Sequence, residues 1–335
     1  MHRSALPSPT TLVGAKVVEN LSGRTVLVTG ATSGLGLAVA RQFAASGART
    51  LLACRNAERA QTAIAAIRQA HPAARVEFVR VDLASLESVE EAAAEIADRA
   101  GELDVLVNNA GVMAPPPGQT ADGFELQIGV NHLGHFALTG QLLPLLLTAE
   151  APRVVTVSSV VHRAAVRTEL TDFKILPRGS NWLGYARSKL ANLLFAFELD
   201  RRAGGRLYSL AAHPGFARSE LMARSQSGAH PVAGPVLRNG VRLLGQSAEQ
   251  GARPILFAAT GKAALCVDPR RPDRREPGGD PDRTGSRFFG PRGPGGLRGA
   301  PTAAAASAPA RDLELAQALW EASAEATGVY YPELG

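Results

Sequence analysis

Short apolar runs alternate with longer stretches of helical period along the first two-thirds of the chain. The first run is Thr25-Val26-Leu27-Val28-Thr29, β-branched and closed by Gly30, and residues 35–45 follow with helical spacing. The pattern then repeats. Residues 50–54 form a strand and 57–69 a helix; residues 76–81 form a strand closed by Asp82. Residues 85–99 form a helix with Ser85 as its N-cap and Glu87 in its first turn. A fourth strand is predicted at 103–107, and a helix at 124–147 with Pro144 kinking it near the end. A fifth strand covers 153–158, a long helix 185–202, and a sixth strand 207–212, which stops at His213-Pro214-Gly215. A last helix at 313–326 gathers Leu313, Ala316, Leu319 and Trp320 on one face, for packing against the body.

Strands that alternate with helices pair in parallel through crossovers. The prediction is therefore an α/β protein, a three-layer Rossmann fold with a doubly wound parallel sheet in a single domain. Residues 1–20 form an arm, with Pro7, Pro9 and Gly14 against helix formation, and 21–261 form the domain proper. Residues 262–310 are rich in Pro, Gly and Arg and read as a surface insertion, partly disordered, with Phe288-Phe289-Gly290 as the stretch that touches the body. Residues 311–335 are the closing helix and its tail.

Composition narrows the classes. Apolar residues make up 45% of the chain and aromatics 5%, which suits an Ala/Val/Leu-built sheet covered on both faces. Two cysteines, Cys54 and Cys266, argue against a disulfide framework and for the reducing cytoplasm. The net charge is +6, but residues 262–300 hold nine Lys/Arg against five Asp/Glu, so that stretch alone supplies +4. The rest is near neutral, which speaks against nucleic acid as a partner. No apolar run is long enough for a membrane span, and residues 1–20 do not read as a leader or anchor.

Ligands of such sheets bind beyond the carboxyl ends of the strands, where the candidate chemistry collects. Gly30, Thr32, Ser33, Gly34, Leu35 and Gly36 form a glycine-rich turn between a strand and a helix. Such a turn lets backbone approach a pyrophosphate at the helix N-terminus. Where NAD-binding folds place an acid after the second strand, this chain has Arg55, whose guanidinium suits a 2′-phosphate. The cofactor expected is therefore NADP(H). Asp82 and Leu83 follow the third strand, where an adenine amino group is met. Asn109, Ala110 and Gly111 follow the fourth, where small residues admit the cofactor. Tyr185 and Lys189 lie four apart on one helix and share a face. A free tyrosine titrates near 10, and a neighbouring ammonium lowers that value, so Tyr185 is the candidate proton donor. Ser159 sits past the fifth strand, placed to hold a substrate oxygen. His132, His135, His162 and His213 lie in separate segments and read as packing or hydrogen-bonding residues, with no metal expected.

These motifs, in this order, resemble the short-chain dehydrogenases/reductases over about residues 22–261. Val130-Asn131-His132-Leu133-Gly134-His135-Phe136, Val157 to His162 and Tyr185 to Leu194 resemble the retinol dehydrogenase/WW-domain oxidoreductase branch. The resemblance implies that Ser159 polarises the substrate oxygen and Tyr185 transfers the proton. It implies that Lys189 also binds the nicotinamide ribose, and that Asn131 holds a water linking Lys189 to solvent. Tyr185, Lys189, Pro214 and Gly215 join the cofactor-binding set. The expected activity is interconversion of a hydrophobic aldehyde or ketone and its alcohol. Residues 216–244, with Leu221, Met222, Val232, Val236 and Leu237, are expected to close the pocket. The alternative class is a non-catalytic NADP(H)-binding sensor or scaffold on the same fold. A homo-oligomer is left open.

Overall fold

The structure, a computed structural model, describes residues 20–165, 170–173, 181–216, 246–261 and 287–334. In strand β1 (Thr25–Thr29) all five residues are buried. Side-chain alternation sends Val26 and Val28 to one face of the sheet and Leu27 to the other. On the first face they meet Val39 and Phe43 of α1 (Gly34–Ala45). Leu52 of β2 (Arg49–Cys54) and Ile64 of α2 (Ala57–Ala70) join the same core. On the other face Leu27 joins Val79 of β3 (Val76–Arg80) and Ile96 of α3 (Leu86–Arg99). Burial of each such side chain contributes about 1.5–3 kcal/mol.

The sheet continues through β4 (Val105–Asn108), β5 (Arg153–Val157) and β6 (Tyr208–Ala212), all parallel. Its order is β3-β2-β1-β4-β5-β6-β7-β8, so the winding reverses between β1 and β4, and a crevice opens there at the strands' carboxyl ends. This is the doubly wound sheet expected from the sequence.

Two expectations need correction. The helix over 124–147 is divided. It runs as α4 (Leu126–Ile128), a π-helical turn (Gly129–Leu133) and α5 (Gly134–Gln141), then breaks at Leu142 before α6 (Leu143–Leu147). Pro144 belongs to the first turn of α6, where its missing N–H leaves nothing unpaired. The second correction concerns 262–310. Residues 262–286 lie outside the described residues, but the part from 287 on is sheet. It supplies β7 (Phe288–Pro291), parallel to β6, and β8 (Pro301–Ala303), antiparallel to β7. Phe288 and Phe289 are fully buried, one in each of two cores. Gly290 is required there, because a Cβ would stand 1.9 Å from His213 Nε2. The prolines are tolerated in a short pair at the sheet's edge.

Helix α7 (Asn181–Ala203) is buried on nearly all sides, packed on the sheet and on α9 (Leu313–Thr327). Helix α8 (Ala248–Thr260) covers the face shared with α1. The arm at 1–19 and the pocket-closing segment at 217–245 lie outside the described residues. Among the described residues no helix is long and apolar enough to cross a membrane.

Candidate functional site

A cleft of about 470 Å³ lies beyond the carboxyl ends of the strands. It brings together Gly30, Thr32, Ser33, Gly34, Leu35, Gly36, Arg55, Asp82, Leu83, Asn109, Ala110, Gly111, Ser159, Tyr185, Lys189, Pro214 and Gly215. Asn131 stands behind that lining, fully buried.

The end of the cleft expected to hold a nucleotide is built from turns. Gly30 has φ of +67°, and a Cβ there would lie 2.9 Å from Ala110 Cα. A Cβ on Gly36 would lie 2.4 Å from the carbonyl oxygen of Gly30. Only glycines let the turn fold onto itself this tightly. Ser33 precedes α1 in extended conformation, and its side chain caps nothing; no acid stands in the first turn. By contrast Asn56 caps α2 through Arg59 N, and Ser85 caps α3 through Ser88 N. The positive end of α1 is thus left without a side-chain cap at the cleft, the arrangement that fits a pyrophosphate. Arg55 is exposed at the rim, between this cleft and an adjoining hollow of about 500 Å³ that also holds Arg80 and Asp82. Arg59 lines the cleft beside it, a second guanidinium that sequence reasoning passed over. Asp82 turns its own chain by accepting from Ala84 N at 3.0 Å.

Thr29 was also missed, because its part is tertiary. Its hydroxyl oxygen accepts from Asn109 N and Ala110 N, both at 2.9 Å, and stands 2.9 Å from His135 Nε2. His135 Nδ1 faces the carbonyl oxygen of Asn131 at 3.0 Å, so Nδ1 carries the proton and Nε2 accepts from Thr29. Burial keeps His135 neutral, with its pKa lowered to about 4. One threonine therefore shapes the loop that would face the nicotinamide side.

At the other end, where the candidate Tyr185 and Lys189 stand, two adjacent serines part company. Ser158 donates to the carbonyl oxygen of Lys189 at 2.7 Å and is held by the backbone. Ser159 lines the cleft beside Tyr185, and its hydroxyl oxygen accepts from Val161 N at 3.3 Å. Lys189 Nζ donates to Val157 O at 3.1 Å and stands 5.7 Å from the centre of the Tyr185 ring. Gly111 keeps this corner open, since a Cβ there would sit 3.0 Å from Asn131 Oδ1 and 3.6 Å from Lys189 Nζ. The Asn131 side chain grips Val112, accepting from its N at 2.7 Å and donating to its O at 2.9 Å, and also donates to Ser188 Oγ.

The expected lowering of the Tyr185 pKa by Lys189 is not what the chain does by itself. Burial pushes the Tyr185 phenol up to about 12, and the nearby Ser159 hydroxyl acts against that rise. Burial also brings Lys189 down to about 8. The four histidines are held by protein groups. His132 Nε2 meets Ser323 Oγ at 2.8 Å, and His162 Nδ1 donates to Ser159 O at 2.6 Å. His213 Nδ1 accepts from Gly215 N at 3.2 Å.

The short chain dehydrogenase family profile matches residues 24–169. Human retinol dehydrogenase 13 is 35% identical over 317 residues, covering 94% of this chain and 87% of its own. The chain belongs to the short-chain dehydrogenases, in the retinol dehydrogenase-like branch. It is also similar to the crystal structure of an uncharacterised protein from Mycobacterium paratuberculosis, with TM-score 0.70 and 37% identity over 94% of this chain and 97% of that one. A structure assigned as an NAD(P)-dependent gluconate 5-dehydrogenase from Beutenbergia cavernae, with bound NADP, shares 27% identity at TM-score 0.58, over 73% of this chain and 92% of its own. Membership makes this chain a dehydrogenase/reductase of a family that uses nicotinamide cofactors.

Proposed function

We propose that the protein is an NADP(H)-dependent oxidoreductase that interconverts a hydrophobic aldehyde or ketone and its alcohol, with Ser159, Tyr185, Lys189 and Asn131 at the reacting end. The observation that carries this reading is the buried Tyr185, which lines the cleft together with Ser159 and stands one helical turn from Lys189. Gly30 to Gly36 and the uncapped start of α1 would hold the pyrophosphate, Arg55 the 2′-phosphate, and Asp82 the adenine. When bound, NADPH supplies the hydride that reaches the carbonyl carbon.

Ser159 would donate to the carbonyl oxygen and hold it against Tyr185. Tyr185, a phenol at neutral pH, would give its proton to that oxygen as negative charge grows there. Lys189 would hold the ribose. Asn131 would fix the Val112 backbone and, through its carbonyl, the water beside Lys189. Met113, Val160, Val161, Trp182 and Phe216 line the same cleft and support an apolar substrate, in keeping with a relative named for retinol. The cytoplasmic location belongs to the same proposal, and cell fractionation tests it. Nucleic acid has no part in it.

The test is NADPH consumption by the purified protein against aliphatic, aromatic and retinoid carbonyls, with Tyr185→Phe alongside. The expected outcome is turnover that falls by about 10²–10⁴-fold in the variant while NADPH still binds. NADPH binding with no turnover on any carbonyl would turn the reading to a nucleotide sensor.

A further inference from the structure

Ala114 has φ of +44°, the left-handed region, and among the described residues it is the one non-glycine there. Such backbone persists only where its surroundings hold it. Here the holder is Gln127, which is 2% exposed. Gln127 Oε1 accepts from Ala114 N at 2.8 Å, and its Nε2 donates to Asn181 O at 2.8 Å. Asn181 Nδ2 in turn donates to Pro115 O at 2.8 Å. Gln127 is itself fixed, since Glu125, at the start of α4, accepts from the backbone N–H groups of Gln127 and Ile128. Three segments distant in sequence are thereby tied into one unit: the loop at 113–115, α4, and the first residue of α7.

What the tie secures is part of the cleft wall. Met113 precedes the strained residue and Trp182 follows Asn181, and both line the cleft. Trp182 is half exposed, an aromatic face open at the site, and stands three residues before Tyr185 on the same helix. Backbone held in this region clusters where a site needs its wall fixed. We infer that Gln127 and Asn181 are positioning residues for substrate selection. By holding the 113–115 loop against the start of α7, they set Met113 and Trp182 as walls that accept a long apolar carbonyl compound in register with Tyr185. The inference rests on the carbonyl-oxidoreductase reading above.

The test uses Gln127→Leu and Asn181→Ala, separately and together, at a temperature where each is folded. Steady-state rates are measured with decanal and with propanal. In each variant KM for decanal should rise about tenfold, the size of one lost hydrogen bond to a buried group, with kcat changed by less than about twofold. KM for propanal and for NADPH should not move. The double variant should be no worse than the poorer single one, because the clamp acts as a unit. Adding Ala114→Gly to Gln127→Leu should restore KM for decanal, since glycine adopts the left-handed backbone without the clamp. A second readout needs no turnover. Titration with 1-decanol should shift Trp182 emission, Trp320 being buried in the core, and Gln127→Leu should require about tenfold more decanol. If the wild type reduces no carbonyl yet its decanol midpoint moves in the variant, the reaction reading fails and the clamp stands. Decanal KM and decanol midpoint unchanged in folded variants, or decanal and propanal affected alike, would overturn the inference.

Discussion

At the end of the cleft proposed for the nucleotide, Gly30, Arg55 and Asn109 each follow directly on the strand that delivers them, and Asp82 stands two residues beyond β3. At the substrate end, the groups that shape the site come from far apart in the chain. Gln127 reaches Asn181, 54 residues on, and His162 reaches Ser307, 145 residues on. The first kind of site can change a side chain without disturbing its frame, because the strand end sets the position. The second kind shares its hydrogen bonds with the packing of the fold, so substitutions there touch stability and selectivity together.

The sharpest way to break this contrast is at Arg55. It is exposed at the end of β2, and Arg55→Asp should leave folding intact. Replacing the guanidinium by a carboxylate removes charge-assisted bonds and adds repulsion toward a 2′-phosphate. The ratio of kcat/KM for NADPH over NADH should fall by about ten- to a hundredfold. A ratio that does not move would place the phosphate elsewhere, with Arg59 the first alternative, and would mean that the nucleotide end is not built strand by strand.

This difference also explains what could be read from the chain. Strands β1 to β6, the glycine turn and the Tyr185–Lys189 spacing depend on neighbours within a few residues, and periodicity displays them. Ser85 as a cap was legible for the same reason. Strands β7 and β8 were not, because Pro, Gly and Arg give no strand period; the buried pair Phe288-Phe289 was the signal, and the expected contact with the body proved to be sheet pairing. Thr29, Gln127 and Asn181 drew no notice because a lone Thr, Gln or Asn says nothing until its partner is in place. The upward push that burial gives the Tyr185 pKa in the chain alone was not legible, because spacing shows that Lys189 is near and not how deeply both are buried.

A second substitution probes the long-range end. Gly290→Ala places a Cβ 1.9 Å from His213 Nε2, between β7 and the loop after β6. Overpacking of this kind costs about 1–3 kcal/mol, to be seen as a lower urea midpoint. Since the disturbance falls behind Pro214 and Gly215, the variant that remains folded should also bind NADPH more weakly. A midpoint within error of the wild type would show that the β7 pairing is not part of the folded unit.

The smallest effect expected is in acid, and it comes from histidines that take part in the long-range packing. His132, His135 and His213 are all buried, and His132 reaches Ser323, 191 residues on, while His135 reaches Thr29, 106 residues back. Burial lowers the pKa of His132 to about 3, of His135 to about 4 and of His213 to about 3. Each is therefore neutral in the folded chain and takes up a proton near pH 6.5 when unfolded. The unfolded state binds more protons, so stability is intact above about 6.5 and is lost as pH falls from there toward 3–4. Between pH 7 and pH 6 the loss should be about 0.7 kcal/mol for each such imidazole, measured from urea unfolding at the two values. His132→Gln should flatten the dependence by that amount, whatever it does to stability at pH 7, because His132 Nδ1 has no hydrogen-bond partner and gains nothing from a proton. A slope as steep in the variant as in the wild type would mean that this ring protonates within the folded protein. The acid sensitivity would then have to come from the remaining imidazoles or from carboxylates.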